Sequence, residues 1–266
     1  MTRRLKASAS QAGFSLLEMM VVVGILVVVM GAVFQQVNTV QKRYKAEEQK
    51  LDLTQESREF LDQVIRDLHQ AGYPNSKMFG AGILAATPAN DLRNAVGLVR
   101  FAYDEIQFEG DVDGDGTVDS VDYRLVQDAD GNCPCRVERS QVPKADATAP
   151  TAQLVSPNSE LLDVVNSGGA NGSGTDVAGY TIGGYTGTSP NNTVYAAYKT
   201  ANVFTAYDAL GNAVGPADFS TPAGRAVLKS IRTIKININV LGSQADMQTG
   251  MRPAITLAGS ARIPGN

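Results

Sequence analysis

The sequence predicts an α+β fold: a long N-terminal α-helix, half of it transmembrane, packed by its other half on an antiparallel β-sheet head with long loops. Three observations lead there. From Phe14 through Gln41 the only formally charged residue is Glu18, and an apolar run of that length can cross a hydrocarbon core of about 30 Å at roughly 1.5 Å per helical residue. Apolar residues then recur at helical spacing through Leu53, Phe60, Leu61, Val64, Ile65, Leu68 and Ala71. After Pro74 the period of the pattern drops to two.

The composition of the 266 residues supports a folded head, with 43% hydrophobic and 19% charged residues. Lys and Arg number 23 against 27 Asp and Glu, a formal charge of −4. There is no basic excess to draw a duplex, so no nucleic-acid partner is expected.

Taken in order, residues 1–13 form a short basic leader with Arg3, Arg4 and Lys6. The apolar run behind it exceeds the roughly 7–15 residues of a secretory signal, and no small-residue cleavage site follows it. Residues 14–42 form the membrane half of the helix. Lys42, Arg43 and Lys45 on the far side balance the leader, so charge counting leaves the orientation open. Residues 43–73 form the amphipathic half, with Glu47, Glu48, Lys50, Asp52, Arg58 and Asp67 on the faces away from the stripe. His69, the single histidine, is expected at the surface near the helix end. Gly72 and Pro74 supply the stop. A continuous helix from Phe14 to Ala71 would be about 87 Å long.

Residues 74–266 form the head. Alternation predicts strands around Val99, Phe101 and Tyr103, around Ile106 and Phe108, and through Val121, Tyr123 and Leu125. Further strands are expected at Val194–Tyr198, at Val203–Tyr207 and, most clearly, from Ile234 to Val240. Residues 167–192 hold eight glycines and one charged residue, Asp176, which suits a long surface loop. Cys133 and Cys135 are too few for a disulfide framework or a zinc site, and read as loop residues able to close a local disulfide in an oxidising compartment.

One segment carries ligand chemistry. In residues 111–122, carboxylates occupy positions 1, 3, 5, 9 and 12 of a calcium loop: Asp111, Asp113, Asp115, Asp119 and Asp122. Gly116 stands at position 6, where the turn is sharp, Thr117 at position 7 offers its backbone carbonyl, and Val118 fills the apolar position 8. Hard oxygen ligands at that spacing predict Ca2+. Aspartate in place of glutamate at position 12, with strands rather than helices as flanks, predicts a rigidifying site with Kd of about 10⁻⁴–10⁻³ M rather than a sensor.

Gly13-Phe14-Ser15-Leu16-Leu17-Glu18, followed by the apolar run Met19–Phe34, resembles the processing motif of type IV prepilins and type II secretion pseudopilins. The resemblance implies that prepilin peptidase cuts between Gly13 and Phe14 on the cytoplasmic side, and that the new Phe14 amine is methylated. It implies a single-pass protein of the bacterial inner membrane, embedded in its lipid with the head in the periplasm, later carried to the pilus and cell surface. Its partners would be other pilin subunits, met through the N-terminal helix. Glu18 then becomes the intramembrane carboxylate, a costly group unless paired, with the Phe14 amine of a neighbouring subunit as its partner in assembly. Many major pilins kink this helix with a proline; here none occurs between Phe14 and Pro74.

Arg66-Asp67-Leu68-His69-Gln70-Ala71-Gly72-Tyr73 is similar to the helix end of PilW-like minor pilins. The implied function is a non-catalytic minor pilin, incorporated into a type IV pilus or priming its assembly. The alternatives are a type II secretion pseudopilin and a filament-tip adhesin. An enzyme is not expected, since no G-x-S-x-G or H-E-x-x-H occurs and no cysteine has a base partner.

Overall fold

The computed structural model describes residues 15–126, 135–166, 201–242 and 252–264. The chain divides into two compact units, Met1–Glu47 and Glu48–Asn266. The expected change from membrane half to amphipathic half near residue 42 thus falls a few residues before the structural division. Helix α1 runs from Leu16 to Gln70.

Within the first unit the chain is helical from Leu16 onward, and every large apolar side chain from Leu16 to Val40 is exposed. The stretch is long and apolar enough to cross a membrane. A helix hydrophobic all round with nothing covering it belongs in an apolar solvent or against other helices.

In the second unit, α1 presents Phe60, Leu61, Val64 and Leu68 to the core, with Leu53 and Ile65 at its margin. The helix stops as expected. Gly72 adopts a φ of +83°, and its N–H donates to the Glu109 carbonyl at 2.8 Å. Ala71 forms an isolated bridge with Gly110, so the helix end is joined to the sheet by backbone as well as by packing.

The sheet holds β1 (Gly97–Phe101), β2 (Glu105–Gly110), β3 (Asp119–Val126), β4 (Cys135–Pro143), β5 (Pro157–Val164), β6 (Phe204–Tyr207), β7 (Ala213–Val214), β8 (Ala217–Asp218), β9 (Thr233–Leu241) and β10 (Ala254–Arg262). Its order is β7-β6-β9-β5-β4-β3-β2-β1-β8, with β10 on β9, and these pairings are antiparallel. A short helix α2 (Pro222–Ser230) is capped by the Thr221 hydroxyl, which accepts the Gly224 N–H at 3.0 Å.

The strands expected around Val99, Ile106, Val121, Val203 and Ile236 are present as β1, β2, β3, β6 and β9. The expected strand Val194–Tyr198, the glycine-rich segment 167–192 and Cys133 lie outside the described residues. Cys135 is buried and disulfide-bonded.

One placement is corrected. Asp67 is expected on a solvent face of the helix but is buried, at 4% exposure. The reason is a matched set of donors on the sheet: Tyr123 Oη donates to Asp67 Oδ2 at 2.7 Å, and Arg139 donates through Nε at 3.0 Å and Nη2 at 2.8 Å. A carboxylate bonded this way is held inside, because removing either partner would strand a charge. Phe60 packs edge-on against Tyr123 with centroids 6.0 Å apart, so the same tyrosine serves the apolar and the polar contact.

Candidate functional site

The acidic segment forms the β2–β3 connection, from Asp111 to Val118. It is anchored directly to the helix end, for the Asp111 N–H donates to the Tyr73 carbonyl at 2.9 Å. Its carboxylates organise the loop backbone. Asp111 accepts the N–H groups of Gly114 at 2.8 Å and Gly116 at 3.1 Å. Asp113 accepts Asp115 N–H at 3.1 Å, and Asp115 accepts the N–H and hydroxyl of Thr117 at 2.7 and 2.5 Å. Gly116, at position 6, has a φ of +88°, which a side chain would strain.

Carboxylate oxygens of Asp111, Asp113 and Asp115 lie within 4.8 Å of one another. Oxygens spaced so can share one cation at Ca–O distances of about 2.3–2.6 Å. Asp119 is not one of these three, but their charges reach it. Burial raises its pKa, opposed by a hydrogen bond from Gln141, and the carboxylates of Asp113, Asp115 and Asp111 raise it further. At exposed Asp115 the hydrogen bonds from Thr117 act the other way and lower the pKa.

Asp122 is not brought to this group. It sits three residues beyond Asp119 in β3, and alternation puts the two on opposite faces of the sheet. The charges that act on Asp122 are Glu105, Arg124, Arg100 and Glu138, none of them in the loop. It is 4% exposed, its Oδ1 has no hydrogen-bond partner, and burial, with Glu105 next, pushes its pKa up to about 7. The twelve-position pattern is continuous in sequence, but its last carboxylate falls on a strand instead of a helix, and the pleat turns it away.

Side chains outside the motif complete the surroundings. Gln141 Nε2 donates to Asp119 Oδ2 at 2.8 Å and to Asp113 Oδ2 at 3.4 Å, while its Oε1 accepts from Arg139 Nη2 at 2.7 Å. Arg139 in turn holds Asp67 of α1 at 2.8 Å. A polar relay therefore runs from the loop through β4 to the helix. The signal in the sequence is slight: Arg139 and Gln141 stand at alternate positions of β4, where an inward-facing strand usually carries apolar residues.

At the other end of the chain, Glu18 lies in the first turn of α1 and accepts the Ser15 N–H at 3.0 Å. Gly13 and Phe14 lie outside the described residues. Residues 8–34 match the family described as the prokaryotic N-terminal methylation motif. The chain carries a type IV prepilin/pseudopilin signal. That signal implies processing by prepilin peptidase and association with pilin subunits, and with the exposed apolar helix it fits membrane anchoring. No curated protein matches the chain.

Proposed function

We propose that this chain is a minor pilin, a non-catalytic subunit that enters or primes a type IV pilus and displays a calcium-stabilised head. The observation that carries the reading is the methylation motif at residues 8–34 in register with a helix whose apolar side chains are all exposed up to Val40. Such a helix is stable in lipid before assembly and against other subunits' helices afterwards. The similarity of Arg66–Tyr73 to PilW-like minor pilins favours a pilus over a secretion system.

In this reading the peptidase cuts after Gly13, Phe14 is methylated, and Glu18 pairs with the Phe14 amine of a neighbour. The Asp111, Asp113, Asp115 and Asp119 carboxylates, with the Thr117 carbonyl, take one Ca2+ from the extracellular medium. The relay through Gln141 and Arg139 then ties the ion to α1. The ion would relieve the mutual repulsion of four carboxylates and stiffen the β2–β3 connection where it meets the helix end.

Intact-mass analysis of native protein tests the central claim. It should show a chain beginning at a methylated Phe14, and Gly13→Asp should block cutting. Glu18→Val should insert into the membrane but fail to incorporate into filaments, since it removes a polar group that is costly in lipid and useful only in assembly. A native chain beginning at Met1, or beyond Phe34, would overturn the reading.

A further inference from the structure

The first unit of the chain holds two charges outside the apolar run that repeat the spacing of its membrane end. Glu47 follows Glu18 by 29 residues, and Arg43 follows Phe14 by the same 29. From Leu16 onward this stretch is one uninterrupted α-helix without proline. At roughly 3.6 residues and 5.4 Å per turn, 29 residues make about eight whole turns, a rise of roughly 44 Å with about 20° of residual rotation. Glu47 therefore stands on the same side of the helix as Glu18. Val22, Ile25 and Val29 lie on that side behind Glu18, all of them exposed. Arg43 precedes Glu47 by four residues, as Phe14 precedes Glu18. Sliding one helix along a parallel copy by four residues, about 6 Å, thus brings Arg43 to Glu47 whenever it brings Phe14 to Glu18.

Both charges are available for such a contact. Arg43 and Glu47 are exposed, and neither enters a salt bridge among the described residues. Within one chain the base precedes the acid, which is the weaker order for a pair four residues apart on a helix. They stand beyond Gln41, where the apolar run ends, so pairing there buries no charge in hydrocarbon. Lys42, Lys45 and Glu48 lie on other sides of the helix. Copies packed in register would set Arg43 against Arg43 and Glu47 against Glu47, and like charges so placed repel. The four-residue offset replaces both repulsions with an attraction, while Val22, Ile25 and Val29 still pack against the neighbouring helix. It also leaves one base and one acid free at the two ends of the pair, the property of a contact that extends into a filament.

We propose that Arg43 and Glu47 form a second ion pair between staggered copies of this chain, Glu47 of one helix meeting Arg43 of the next at the offset that joins Glu18 to Phe14. The inference rests on the assembly reading above. The two pairs bracket the membrane segment and fix its axial register at both ends.

The test expresses two full-length copies with different C-terminal tags in cells that hold prepilin peptidase, and measures how much of one is recovered through the other in mild detergent. Glu47→Arg in both copies, or Arg43→Glu in both, should lower recovery at least about threefold. A Glu47→Arg copy mixed with an Arg43→Glu copy should restore it. Each chain of that mixture still carries like charges four residues apart, so only a contact between chains explains the rescue. Cross-linking reads the register: an Arg43→Cys copy and a Glu47→Cys copy should join to each other in preference to themselves. No recovery between wild-type copies, recovery indifferent to the reversals, no rescue in the mixture, or like-to-like cross-linking would each overturn the proposal. Intact mass of the same samples keeps the two readings apart. A chain not cut after Gly13 overturns the assembly reading and this pair with it, whereas a chain that begins at methylated Phe14 but shows no rescue overturns the pair alone.

Discussion

Replacing Asp122 with asparagine should stabilise the protein at neutral pH, and the reason is geometric. Asp122 is 4% exposed, with Oδ1 unpaired, on the face of β3 turned away from the other loop carboxylates. Burial, then the Glu105 carboxylate, raises its pKa from 3.8 to about 7, and Arg124 and Arg100 only partly offset this. A carboxyl whose folded pKa is raised favours the folded state below the unfolded value and loses that advantage as pH climbs to the folded one. Between pH 3.8 and about 7 the unfolded chain ionises Asp122 while the folded chain does not. At about 1.4 kcal/mol per pH unit, the ionised group therefore costs up to about 4 kcal/mol above pH 7. A neutral amide at this position would carry no such cost. Thermal melts of full-length wild-type and Asp122→Asn protein should differ by roughly 5–10 °C in favour of the variant at pH 7.5 and converge near pH 4. Calcium affinity should not change, because Asp122 is not placed among the ligands. A variant that melts lower at pH 7.5, or that binds calcium about tenfold more weakly, would refute the argument and return Asp122 to the metal site.

The calcium reading itself predicts a higher melting temperature in millimolar calcium than in chelator. At ten times a Kd of about 10⁻⁴ M the stabilisation is about 1.4 kcal/mol. Asp111→Ala with Asp113→Ala should abolish it in the same melts, and magnesium should substitute poorly because it gives up water reluctantly. Gly110→Ala should destabilise the head by about 1–3 kcal/mol in chemical denaturation, because a Cβ there runs into the Gln70 carbonyl at the end of α1. Since Asp111 hangs from Tyr73 by a backbone hydrogen bond, that variant should also weaken the calcium response, and an unchanged response would separate the loop from the helix end.

Much of this molecule is local and therefore legible in the sequence. The membrane helix is a run of apolar residues with one carboxylate, and its exposure follows from composition alone. The stop at Gly72 and the alternating strands β2, β3 and β9 follow from backbone preference and period. The first three carboxylates of the calcium-type pattern alternate along a short loop, so turn chemistry alone gathers Asp111, Asp113 and Asp115. Strands β4, β5 and β10 do not announce themselves. In β4 the positions facing the helix carry Arg139 and Gln141, and β10 is built from small residues such as Ala258, Gly259 and Ser260.

What the tertiary structure decided were the pairings between distant residues. Asp67 looks like one more solvent-facing charge until Tyr123 and Arg139 arrive from the sheet. Lys144 and Glu109 are ordinary charges in sequence and a fully buried pair in the fold. Asp122 fits the calcium spacing by count, but direction depends on whether the chain there is a strand or a helix. A carboxylate's environment is set by which elements pack around it, and packing joins residues whose separation along the chain carries no signal of their contact.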